Sequence, residues 1–184
     1  MIFIITGEQG EGKTTFLQQV TGILTRYGIA VSGIWAEGSW KNSLRDSFTV
    51  VNVTTAEKML LCNREKEDGD YAFRKFYFKK NALLFGQKVL AETKFSQLVI
   101  IDEVGGLELG GNGWAVSIAE LLKTGKPMLW TVRKSLVNEI ITAFFCGEYC
   151  IFPCGEFSPE QVAYKILSFF PEKIQAGKGL TGNF

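Results

Sequence analysis

Apolar residues are distributed along the chain in two alternating patterns: short continuous runs bounded by glycine, and longer stretches with apolar positions three and four apart. The continuous runs read as strands buried on both faces, and the helical spacings as helices packed against them. Ile2 to Thr6 is the first such run. Lys13 to Tyr27 follows as a helix, with Phe16, Leu17, Val20, Ile23 and Leu24 on one side and Gly28 as its stop. Further strands are expected over Ala30 to Ala36, Gln97 to Ile101, Pro127 to Val132 and Tyr149 to Phe152. Helices are expected over Asn81 to Thr93, Trp114 to Lys123, Leu136 to Phe145 and Ser158 to Phe169. The last carries a start signal: Ser158 as cap, Pro159 at the first position and Gln161 three residues after the cap.

Two regions depart from that rhythm. From Phe48 to Cys62 the density of Thr and Val, with no helical face, predicts short antiparallel strands, an insertion beside the parallel core. Cys62 to Asp70 is charged and reads as a loop, followed by alternation through Tyr71, Phe73, Phe76 and Phe78. The glycines from Gly105 to Gly113 read as a loop. The order of elements predicts one α/β domain over residues 1–175 with a mainly parallel central sheet, a few antiparallel strands and a loose tail over 176–184.

Composition narrows the class without altering this picture. With 184 residues, 46% of them hydrophobic and 21% charged, the chain has what an ordinary globular domain needs and lies outside the disordered class. Twenty basic against nineteen acidic residues leave a formal charge of +1, which argues against nucleic acid or an anionic membrane as partner. The start runs straight from strand to glycine with no basic segment before it, and no later run is long enough to span a membrane, so a cytoplasmic protein is expected. Four cysteines are then expected to be reduced thiols. Cys146, Cys150 and Cys154 recur every fourth residue, a spacing that places them on one strand face as small apolar residues more readily than around a metal. The chain has no histidine, so proton transfer falls to carboxylates.

The chemistry gathers at two places. Gly7-Glu8-Gln9-Gly10-Glu11-Gly12-Lys13-Thr14, followed by Thr15, fits the phosphate-loop pattern and lies between an expected strand and an expected helix. In that setting the loop amides converge on phosphate oxygens and the helix N-terminus adds its dipole. Lys13 is placed to reach the β- and γ-phosphates of a nucleoside triphosphate and Thr14 to bind magnesium. The second place is Leu98-Val99-Ile100-Ile101-Asp102-Glu103, where a buried strand delivers two carboxylates at its end. Asp102 is expected to hold the magnesium through water, and Glu103 to activate the water that attacks the γ-phosphate. Thr131 is a candidate γ-phosphate sensor, and Arg133 a candidate for stabilising transition-state charge. Arg74, Lys75, Lys79 and Lys80, interleaved with aromatic residues, could grip a polyanion. Alternation instead sends the rings to a core, and the acidic residues just upstream oppose that use.

Asp102-Glu103-Val104-Gly105-Gly106-Leu107-Glu108-Leu109 resembles the Asp-Glu-Ile-Gly-x-Met-Glu-Leu motif of the THEP1-type nucleoside triphosphatases. Glu37, and Arg45-Asp46-Ser47-Phe48 against that family's Arg-x-Gly-Phe, extend the likeness over roughly residues 1–170. The resemblance implies a three-layer P-loop NTPase fold of the additional-strand (ASCE, RecA-like) type and magnesium-dependent hydrolysis of ATP, GTP and other triphosphates. Two other functions use the same loop: a nucleoside or nucleotide kinase, with Arg64 to Lys80 as a lid, and a nucleotide-dependent binding or switch module. Base preference and oligomeric state are not encoded in these motifs.

Overall fold

The computed structural model describes residues 1–144 and 147–171. Its elements are, in order, β1 (Ile2–Gly7), α1 (Lys13–Arg26), β2 (Val31–Lys41), β3 (Leu44–Asn52), β4 (Lys58–Asn63), β5 (Tyr71–Phe73), β6 (Phe76–Phe78) and α2 (Lys80–Ala91). There follow β7 (Leu98–Val104), α3 (Gly106–Leu109), α4 (Ala115–Lys123), β8 (Met128–Arg133), α5 (Val137–Phe144) after a 3-10 turn, β9 (Tyr149–Pro153) and α6 (Pro159–Leu167). The residues expected to form the tail, with Phe145 and Cys146, lie outside the described residues.

Among the described residues, all nine strands join one sheet in the order β5-β6-β4-β3-β2-β7-β8-β1-β9. From β2 to β9 every neighbour is parallel, and from β2 outward to β5 every neighbour is antiparallel. The expectation of a mainly parallel sheet is therefore corrected: the sheet is mixed, with as many antiparallel pairings as parallel ones. The reason lies in the turn at Asn42 and Ser43, whose φ values of 51° and 61° turn β2 straight back into β3. A two-residue turn with both central residues in the left-handed region joins antiparallel strands and nothing else. It also carries β2 to Lys41, five residues beyond the expected end at Ala36.

Within the parallel half, β8 lies between β1, which leads into the phosphate loop, and β7, which carries Asp102. This is the additional-strand arrangement. The strand period of two sorts β1 onto both faces of the sheet. Ile2 and Ile4 join a core under α2, α4 and α5 with Val99, Ile101, Trp130, Ile118 and Ile140. Phe3 and Ile5 join a second core under α1 and α6 with Leu17, Val20, Val162 and Ile166. Two cores, one on each face, give three layers. Ser158 caps α6 as expected, accepting from the Gln161 N–H at 3.3 Å while the Gln161 side chain accepts from the Ser158 N–H at 2.8 Å.

Glycine is obligatory at two packing points. Gly33 has φ 122°, and a Cβ there would meet the Ile100 carbonyl oxygen at 2.0 Å, so no side chain fits where β2 pairs with β7. Gly86 leaves the groove on α2 into which the Trp114 ring fits; a Cβ would come within 2.4 Å of it. The glycine-rich stretch expected to be a loop contains a helical turn, α3. Glu108 organises it: one carboxylate oxygen accepts from the Gly105 N–H at 2.9 Å and the other from the Trp114 N–H at 3.2 Å.

Candidate active site

The site forms where parallel strands end and their connections diverge, the position at which open α/β sheets bind ligands. At the end of β1 the chain curls through Gly10 and Gly12, with φ values of 90° and 80°, a conformation open to glycine and strained for other residues. Gly12 leads into α1, so the loop N–H groups and the positive end of the helix share one concavity. Lys13 is 5% exposed, and its ammonium donates to the carbonyls of Gly7 at 3.2 Å and Glu8 at 2.8 Å, which hold it across the loop. Glu8, Gln9, Gly10 and Glu11 are exposed. Glu11 folds back so that its carboxylate accepts from the Glu8 N–H at 2.8 Å, an amide of the kind that serves phosphate oxygens in such loops.

Thr14 donates its hydroxyl proton to Asp102 Oδ2 at 2.9 Å, linking the loop to the end of β7. Asp102 is 1% exposed, and both its oxygens are occupied: Oδ2 also accepts from the Ala36 N–H at 2.9 Å, while Oδ1 accepts from the Thr131 hydroxyl and from the Glu103 N–H at 3.0 Å. Burial and the neighbouring Glu103 charge push the Asp102 carboxyl up to about 6, against the pull of its hydrogen-bond donors. Thr131 is fully buried and accepts from the Glu103 N–H at 2.8 Å, so it stands behind both carboxylates and on neither cavity wall.

Glu103 has φ 58°, rare for a residue with a side chain, at a register shift between Ile101 and Val104 where β7 pairs with β8. The extra residue turns the strand end, and Glu103 borders both neighbouring cavities. Such strain persists only where the surroundings hold it, here through the two hydrogen bonds to its N–H.

The first cavity, about 370 Å³, runs from Gly10, Lys13, Thr14 and Thr15 to Trp40 and Arg45. The Arg45 guanidinium lies 4.2 Å from the centroid of the Trp40 ring and 5.3 Å from that of Phe48. Glu37, on the same wall, is paired with Lys58 at 2.6 Å. Sequence reasoning reached Glu37 and Arg45 only through the resemblance and passed over Trp40 and Gln18. The helical position of Gln18, one turn after Thr14, was the available signal for it. The second cavity, about 520 Å³, opens on the other side of Glu103 and is bordered by Gln9, Asp102, Arg133 and, from β6, Phe76 and Phe78.

Arg133 therefore meets Glu103 across the second cavity and not in the cleft that contains Lys13 and Thr14. Glu108, whose burial pushes its carboxyl up to about 7, also borders the second cavity. Its role in closing the Gly105–Trp114 turn was not visible in the motif. Cys150 and Cys154 are partly buried, and among the described residues no cluster of cysteine and carboxylate side chains is set to hold a metal ion. Among the same residues no helix is long and apolar enough to cross a membrane.

A family model described as NTPase matches residues 2–167. The nucleoside-triphosphatase THEP1 of Hyperthermus butylicus is 31% identical over 141 residues, covering 76% of this chain and 75% of its own. That of Methanopyrus kandleri is 28% identical over 138 residues, covering 75% and 76%. Among solved structures, a human cancer-related nucleoside triphosphatase superposes with a TM-score of 0.68 at 20% identity, over 91% of this chain and 96% of its own. THEP1 from Aquifex aeolicus gives 0.66 at 22% identity, over 92% and 98%. With the phosphate loop, the intervening strand and the Asp-Glu strand end already in place, these matches make the chain a member of the THEP1-type nucleoside-triphosphatase family, an enzyme of the P-loop NTPase class.

Proposed function

We propose that the protein hydrolyses ATP, GTP and related nucleoside triphosphates to the diphosphate and phosphate in a magnesium-dependent reaction. The observation that carries this reading is the meeting of Lys13, Thr14, Asp102 and Glu103 at one corner, tied by the Thr14 to Asp102 hydrogen bond across the sheet. The amides from Gly7 to Thr15 bind the phosphate chain. Lys13 exchanges its loop carbonyls for β- and γ-phosphate oxygens.

The corner suits magnesium. Its donors are hard oxygens, and the Thr14 hydroxyl borders the cleft while Asp102, with both oxygens bonded, stands behind it. Thr14 would hold the ion directly and Asp102 through water. When bound, magnesium neutralises charge on the β- and γ-phosphates. Glu103 takes the proton from a water whose oxygen bonds to the γ-phosphorus as the bond to the β-γ bridging oxygen breaks. Thr131 positions Glu103 and Asp102 from behind, and Arg133, across the second cavity from Glu103, stabilises charge that develops in the transition state. Most of the barrier reduction comes from positioning and charge neutralisation.

The test is phosphate release from ATP and GTP with magnesium, in the wild type and in Glu103→Gln. Loss of at least about a hundredfold with nucleotide binding retained is expected from removing a general base. Unchanged release would remove Glu103 from this role.

A further inference from the structure

The second cavity is not accounted for by hydrolysis. At about 520 Å³ it exceeds what a water needs and lies within the range of small-molecule sites, roughly 300–1,000 Å³. Its walls are rings: Phe48, Phe73, Phe76, Phe78 and Trp114. Its charged lining consists of three carboxylates, Asp102, Glu103 and Glu108, and three cations, Arg74, Lys75 and Arg133. Over it lies the β5–β6 hairpin, whose turn bears Arg74 and Lys75. The Phe73 ring comes within 3.3 Å, and Arg74 Nη2 within 3.5 Å, of where a Cβ on Gly106 would sit. The base of the hairpin is fastened by Lys79, which pairs with Asp70 at 2.9 Å and Glu67 at 3.1 Å.

Aromatic walls favour a planar ring, which they hold by stacking and edge contacts. With three carboxylates against three cations the lining carries no formal net charge and suits a neutral molecule, and the carboxylates accept a hydroxyl proton. Glu103 borders this cavity and the phosphate cleft at once, as do Ala36 and Phe48, so a hydroxyl bonded to Glu103 from the aromatic side lies next to that cleft.

We propose that this cavity is an acceptor site for a neutral aromatic alcohol of nucleoside type, and that the enzyme transfers the γ-phosphoryl group to its hydroxyl. The acceptor oxygen bonds to the γ-phosphorus, and the bond from that phosphorus to the bridging oxygen breaks. The hydroxyl proton passes to Glu103, and the nucleoside diphosphate leaves. Arg133 and the cations of the hairpin turn face the transferring group. Water is the default nucleophile, used when the cavity holds no alcohol. The inference rests on the proposed nucleotide site, and its products distinguish the two.

The experiment incubates the full chain with magnesium and γ-labelled ATP, alone and with adenosine, guanosine, cytidine or thymidine, and measures labelled phosphate and labelled nucleoside monophosphate separately. A labelled monophosphate is expected with at least one of the four, with phosphate release falling as it forms. Phe73→Ala, which removes a ring lying outside the phosphate cleft, is expected to reduce the labelled monophosphate about tenfold while phosphate release without acceptor stays within about twofold. Phe73→Leu keeps apolar bulk but lacks the ring face and tests the same point should the alanine variant not fold. Phosphate release with no labelled monophosphate from any of the four overturns the acceptor site and leaves hydrolysis standing. A labelled monophosphate undiminished in either variant overturns this cavity as its source. Labelled monophosphate without phosphate release upholds transfer and removes hydrolysis, and neither product removes both.

Discussion

Glu11 illustrates how one side chain can tune a phosphate loop. Its carboxylate holds the Glu8 N–H that a phosphate oxygen would take, and it places a negative charge beside the polyanion's seat. Glu11→Gln removes the charge and weakens the competing hydrogen bond, so nucleotide affinity is expected to rise about fivefold, the equivalent of about 1 kcal/mol. Titration calorimetry with a non-hydrolysable triphosphate measures it. Glu108 gives a pH effect of definite sign. Burial raises its carboxyl to about 7, whereas in the unfolded chain it titrates near about 4.3. Between those values the folded state binds the proton and the unfolded state does not, so this group's contribution to stability is complete below the lower value and is lost as pH rises through the upper. Glu108→Gln is expected to flatten the fall in Tm between pH 5 and 8, read by calorimetry across that range. At this scale the motif residues were legible because phosphate chemistry constrains their types and spacing. The left-handed conformation of Glu103 was not, since it arises from a register shift between two strands 29 residues apart at the Asp102–Thr131 contact.

Among elements, the parallel core was legible because each strand is a continuous apolar run and each helix carries its own period. The extension was only half legible. Glu37 to Phe48 is polar and half-exposed, so it lacks the hydrophobic signature of a strand, and its ladder is fixed by the Asn42-Ser43 turn and by pairing with β4. The closeness of β2 to β7 turns on Gly33. Gly33→Ala would place a methyl 2.0 Å from a carbonyl oxygen at a φ that disfavours a side chain, and a loss of about 3 kcal/mol or more is expected. Urea denaturation would reveal it as a lower midpoint with an unchanged slope.

In the whole molecule, the sheet divides its labour. The parallel half bears the phosphate loop and the carboxylates, and the antiparallel half, through β4, β6 and the β5–β6 turn, walls the second cavity. Glu103, at the end of β7, borders both cavities. The phosphate cleft draws Lys13 and Thr14 from the parallel half and Arg45 from the antiparallel half, with Glu37 and Trp40 on β2 between them, so a nucleotide bound there would touch both. A magnesium-bound non-hydrolysable triphosphate at a hundred times its Kd is expected to stabilise the fold by about 2.7 kcal/mol, seen as a rise in Tm. Lys13→Ala should abolish that rise.

The sheet order has a consequence for synthesis. β1 is made before the other described strands, and every one of its residues ends up buried, yet its two neighbours in the sheet, β8 and β9, are the last of those strands to be made. The nascent chain therefore carries β1, apolar from Ile2 to Ile5, without its partners until β8 and β9 have been made. Such long-range pairing folds slowly and leaves sticky segments open to association. The strand that leads into the phosphate loop is thus, until β8 and β9 are made, a segment for a chaperone to cover.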